Sequence, residues 1–267
     1  MREILITLIA NLLFFGSIAQ QLEQLNDKKE VIENEFHTII KSMPSPIEQL
    51  EALHNDKVKF NEHLLSPASN VQHFESDAAE AINCGIYMVD FAYLAVFQEQ
   101  NKMIQYRALA LEMAAKIEAD KPFHNVLGID LENKVKDYDL LKKAIIDALN
   151  ATENQLIDNN HIATASQMLL GSWIETQYIM LQSFIRDKKP SSQVKQHIVD
   201  QQVHLANLIK LVHEFKDDAG FHEELEKLNK LEDSLLKIHN IEGVTETVVL
   251  KLVDEITRLR MDILAME

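Results

Sequence analysis

The segment Asn83-Cys84-Gly85-Ile86-Tyr87-Met88-Val89-Asp90-Phe91-Ala92-Tyr93 has the spacing of a helix and almost no wet side. Asn83, Tyr87, Asp90, Leu94 and Phe97 fall on one stripe, while Ile82, Ile86, Val89, Tyr93 and Val96 form an apolar seam beside it. A helix that is apolar on most sides is enclosed by other helices. A second segment, Leu170-Gly171-Ser172-Trp173-Ile174-Glu175-Thr176-Gln177-Tyr178, has the same character. Each segment carries a Gly, an aromatic two residues later, a lone carboxylate, and a Tyr three residues after the carboxylate. Burying an ionised carboxylate costs several kcal/mol unless it is paired and hydrogen-bonded. Asp90 and Glu175 are therefore expected to turn inward and meet partners. Gly85 and Gly171 each cost roughly 1 kcal/mol of helix propensity against Ala. They suit places where a neighbouring backbone or a ligand comes close.

Working outward, the rest of the chain is also helical. Gly and Pro number only 6 and 5, and they fall mostly at breaks. A polar helix is expected over 22–41, closed by Met43-Pro44. Ser45-Pro46-Ile47-Glu48 is a capping box with Pro at the first helical position, and it opens a helix that fades near Asn55. A long connection follows from Phe60 to Phe74. Further helices are expected over 77–97, 101–119, 131–158, 162–186, 192–215, 221–239 and 244–266, with Asp120-Lys121-Pro122 ending the second of these. Two of them show seams with steps of four and three. One uses Val194, Ile198, Gln201, Leu205, Leu208, Val212 and Phe215; the other uses Thr245, Val249, Leu252, Ile256, Leu259, Ile263 and Met266. The fold expected is all-α: an up-and-down antiparallel bundle of eight to nine helices, with a pseudo-twofold internal repeat.

Residues 1–19 read as a secretory signal. Arg2 supplies the basic end, Ile4 to Ile18 the apolar run, and Ser17-Ile18-Ala19 the small residues of a cleavage site. Residues 20–267 then form a single helical domain, with 20–43 as a peripheral helix. No other segment reads as apolar enough to cross a membrane. Cys84 is the only cysteine, so stability rests on packing rather than an intramolecular disulfide. The formal net charge of −16 leaves no basic stripe for nucleic acid and no attraction to anionic lipid.

The chemistry-bearing candidates are Tyr87, Asp90, Tyr93, Trp173, Glu175, Tyr178 and Gln201. Gln201 occupies a seam position where Leu is expected, and Asp90 or Glu175 could accept from its amide. These residues serve three readings: a buried polar network that fixes helix register, a small-molecule or peptide site, or a catalytic or metal centre with Glu175 or Asp90 as general base. Metal signals are poor. Glu51-Ala52-Leu53-His54 fits a di-iron spacing once, without a partner, and His197 and His204 stand two turns apart. There is no Gly-x-Ser-x-Gly, phosphate loop or dinucleotide fingerprint. No cofactor or metal is expected.

The chain also resembles an uncharacterised family of secreted all-helical proteins and lipoproteins of Bacteroidetes. The resemblance rests on Pro44-Ser45-Pro46 with Glu48, Asn61, Leu64-Leu65-Ser66-Pro67 with Asn70-Val71, Ala81 to Tyr87, Asp90 to Tyr93, Gly171 to Glu175, and Gln201 with Leu205-Ala206-Asn207-Leu208. It implies an exported protein of the periplasm or cell envelope and no established activity. The chain lacks a lipobox Cys, which favours a soluble form. The function expected is a non-enzymatic bundle that binds a small molecule or a protein partner there. The alternatives are a structural or protein-interaction module, and an enzyme.

Overall fold

The computed structural model describes residues 29–128, 135, 137–186, 190–215 and 222–266. The expected signal and its cleavage site lie outside the described residues. The chain forms two compact units, Met1–Lys41 and Ser42–Glu267. Helix α1 covers 29–42 and supplies the described part of the first. The start of the helix expected from residue 22 lies outside the described residues.

The second unit is all-α, with no strand among the described residues. Its helices are α2 (Pro46–Asn55), α3 (Asp77–Val96), α4 (Gln100–Lys116), the single turn α5 (Asp120–Phe123), α6 (Tyr138–Asp158), α7 (Ile162–Arg186), α8 (Ser192–His213), α9 (His222–Leu235) and α10 (Glu246–Leu264). Side chains start most of them. Ser45 and Glu48 close the predicted capping box on α2. Ser76, Asp137, Ser191 and Thr245 cap α3, α6, α8 and α10 by accepting from first-turn amides.

Four helices end in left-handed residues that are not glycine: Lys57, Gln98, Glu118 and Asn160. Each is followed by an amide that bonds back to the last turn, as in Val58 N to Leu53 O and Ala119 N to Ala114 O. This ends α4 at Lys116, before the predicted Asp120-Lys121-Pro122 break. That tripeptide instead starts α5. Pro122 sits in a first turn, where its missing N–H is not needed.

Neighbours in sequence are antiparallel. Tyr87 meets Tyr106 and Glu80 pairs with Lys116 across α3 and α4. Ser234 meets Lys251 and Lys227 pairs with Asp262 across α9 and α10. At the centre α3 and α7 cross by backbone contact. A Cβ on Gly85 would lie 2.0 Å from the Met168 carbonyl oxygen, and one on Gly171 would lie 1.9 Å from that of Ile82. The contact is reciprocal, since each glycine meets the residue three positions before the other. Asp90 and Glu175 lie just beyond this crossing and act on each other's charge, so α3 and α7 run in the same sense.

α3 corrects one expectation. It is long and apolar enough to cross a membrane by length and composition, although Asp90 lies within it. Its surface is spent on packing, however: every residue from Ala81 to Val96 is buried. The seams of α8 and α10 also face inward, with Val194, Ile198, Leu205, Leu208 and Val212 buried in one and Val249, Leu252, Ile256, Leu259 and Ile263 in the other.

Candidate functional site

The two acids of the crossing helices are wholly buried, and Arg260 of α10 is 7 % exposed. Arg260 grips Glu175 with both arms. Its Nε donates to one carboxylate oxygen, and Nη2 donates to the other at 2.9 Å. Nη2 also reaches the Leu64 carbonyl at 3.1 Å and the Ser66 hydroxyl at 2.8 Å. The guanidinium lies over the Tyr178 ring, 4.2 Å from its centroid. A forked cation can hold a carboxylate and two further acceptors together, which a lysine cannot.

The remaining side chains of this centre address one segment, the connection between α2 and α3. The Ser66 amide donates to Asp90 Oδ2 at 3.0 Å. The Tyr106 hydroxyl donates to the Ser66 carbonyl at 2.6 Å, and the Tyr87 hydroxyl to the Pro67 carbonyl at 2.6 Å. The Tyr93 hydroxyl accepts from the Asn61 amide at 3.0 Å. Leu64, Leu65 and Ser66 are buried, although the segment is mostly irregular and offers few backbone partners of its own. Buried backbone groups outside regular structure must find partners, and here core side chains supply them. The predicted long connection is thus drawn into the bundle rather than laid over it.

Burial raises the pKa values of the acids and tyrosines first, and their neighbours modify the effect. Asp90 is pushed well above the usual carboxylate range by burial and by Glu175, against the pull of Arg260 and Ser66. Glu175 is also raised by burial, against the pull of Arg260, whose two donors on the carboxylate oxygens favour its ionised form. Burial works against the Arg260 cation as well, and Glu175 more than offsets it. Tyr93 is pushed up to about 12 by burial, while Tyr87, Tyr106 and Tyr178 are raised for the same reason.

Not all seven predicted residues meet here. Tyr87, Asp90, Tyr93, Glu175 and Tyr178 do. Trp173 and Gln201 belong to a second network on another side of α7. The Trp173 Nε1 donates to Gln201 Oε1 at 2.8 Å. Gln201 Nε2 donates to the His197 carbonyl at 2.9 Å and to Gln49 Oε1 at 3.4 Å, and Gln177 donates to the same Gln49 oxygen at 3.2 Å. The expected contact between Gln201 and an acid is therefore corrected. Its amide donors are used by α2 and by its own helix.

Sequence reasoning missed Arg260, Ser66, Tyr106, Gln49 and Gln177. Arg260 had a signal, because two buried acids require a cation. It follows Leu259 in the seam of α10, four residues after Ile256 and three before Ile263. Glu51 accepts from Lys142 and Tyr138, and no group of three or more His, Cys, Asp or Glu is placed to hold a metal ion among the described residues. No protein-family model, curated protein sequence or solved structure matches this chain.

Proposed function

We propose that the protein is a non-enzymatic helical module that acts through contacts of its acidic exterior, with a polar centre that is structural. One observation carries this reading. Arg260 occupies the position a cationic ligand would take between the acids, and the chain's own residues 61–67 take the other polar groups. Asp90, Glu175 and the hydroxyls of Tyr87 and Tyr93, nominated as ligand contacts there, already face protein. General-base catalysis needs a carboxylate that substrate and water can reach, and both acids are fully enclosed.

Export to the periplasm or cell envelope is part of the proposal. The basic, apolar and small-residue pattern of residues 1–19 supports it, as does the resemblance to secreted helical proteins of Bacteroidetes. The test is capture of a protein partner by the purified chain, compared with Asp90→Asn and Glu175→Gln variants that stay folded. A partner retained by both supports an exterior interface. A small molecule that co-purifies in native mass spectrometry, and is lost in either variant, would restore the binding pocket.

A further inference from the structure

Two acids face one arginine at the centre of the bundle, so one carboxyl there has no cation. Glu175 takes the guanidinium on both oxygens. Asp90 takes the Ser66 amide on Oδ2, while its Oδ1 is sealed from solvent and receives no donor. The Arg260 cation is committed to Glu175, and a wholly buried carboxylate oxygen with neither a donor nor a cation is costly unless it holds a proton. Oδ1 is where that proton belongs.

We propose that Asp90 Oδ1 is a proton-binding site, filled at neutral pH and donating to Glu175, so that one anion faces one cation at this centre. The groups facing Asp90 are Glu175 and Tyr178 from α7, Arg260 from α10, Tyr106 from α4, and Tyr87 and Tyr93 on α3 itself. Neither α2 nor α6 sends a charge to it. Glu51 of α2 turns to Lys142 and Tyr138 of α6, and Glu153 of α6 responds to burial alone. With the proton present, one anion faces one cation. Without it, two anions share Arg260 and repel each other.

The direction of the pH dependence follows. Burial and Glu175 raise Asp90 well above its ordinary value. The unfolded chain gives up this proton near pH ~4. The stability contributed by the proton is fully present below that value. It is lost as pH rises through the raised value of folded Asp90. The bundle is thus held more firmly in acid than in alkali, whether or not the exterior recruits a partner.

Infrared spectroscopy of the full chain at neutral pH tests this through the C=O stretch of protonated carboxyls. Glu153 is a second buried acid, raised to about 8, so the background is Glu153→Gln. One protonated-carboxyl band is expected there, and its loss is expected on adding Asp90→Asn. Aspartate-selective carbon labelling reads the same proton in the unsubstituted protein, where the Asp90 carboxyl should show the chemical shift of a neutral acid at neutral pH. A band that survives Asp90→Asn, or an Asp90 resonance that titrates in the ordinary acid range, overturns the proposal.

Discussion

Arg260 closes the centre, and its removal should be costly out of proportion to its contacts. Arg260→Met leaves Glu175 buried without a cation, and breaking a buried pair in this way costs about 3–5 kcal/mol. Denaturant unfolding should show a lower midpoint of that size. Arg260→Lys should recover only part, because a single ammonium cannot hold both carboxylate oxygens, the Leu64 carbonyl and Ser66 together. A loss under about 1 kcal/mol would mean that Glu175 finds water. The second network makes a smaller claim. Trp173→Phe keeps the ring in place and strips the donor from the buried Gln201 Oε1, at a cost of about 1–3 kcal/mol in the same assay. The inward acids were legible in the sequence because each interrupts an apolar helix. Their cation was not, since an arginine beside a seam reads as surface unless the acids' need for a partner is followed through. Gln201 was legible as a buried amide, but its partners depend on how α2 seats against α7 and α8, which residue spacing cannot state.

At the scale of elements, the glycines and the helix ends make opposite predictions. Gly171→Ala improves helix propensity by about 1 kcal/mol. The added Cβ would nevertheless lie 1.9 Å from the Ile82 carbonyl oxygen, where only separation of α3 and α7 makes room. The expected outcome is net destabilisation of at least about 2 kcal/mol, read from thermal or denaturant unfolding. Lys57→Gly should do the reverse. Lys57 is exposed and left-handed at φ 61°, a conformation that costs an L side chain roughly 1–2 kcal/mol. Relief should stabilise the protein by about 1 kcal/mol, less the entropy that glycine returns to the unfolded chain. The helices themselves were legible from their spacing and from Ser45-Pro46-Ile47-Glu48. The end of α4 was not marked by glycine, so its stop at Glu118 was hidden in sequence, whereas the end of α6 at Asp158 falls where its expected helix ends. Gly85 and Gly171 announced a close approach, and the approach is between helix backbones rather than to a ligand.

For the whole molecule, buried acids set the response to pH. Glu153 on α6 is raised to about 8 by burial, so its contribution to stability is full below the unfolded value of ~4.3 and is lost as pH rises through about 8. Glu153→Gln should flatten the fall in unfolding free energy between acid and mildly alkaline pH. An unchanged slope would place that carboxyl in water. The larger claim concerns how the bundle is tied together. Arg260 of α10, Asp90 of α3 and Tyr106 of α4 all hold the connection at residues 64–67, so a segment between two short 3-10 turns sits at the junction of three helices. Its turn residues were readable as a long connection, but its burial was not, because the groups that satisfy its backbone come from up to 196 residues away. Hydrogen exchange at the Ser66 amide tests this account most directly. If Asp90 and Arg260 clamp the segment, Ser66 should be protected as strongly as the core amides of α3 and exchange only with global unfolding. Exchange as fast as at an exposed loop amide would contradict it.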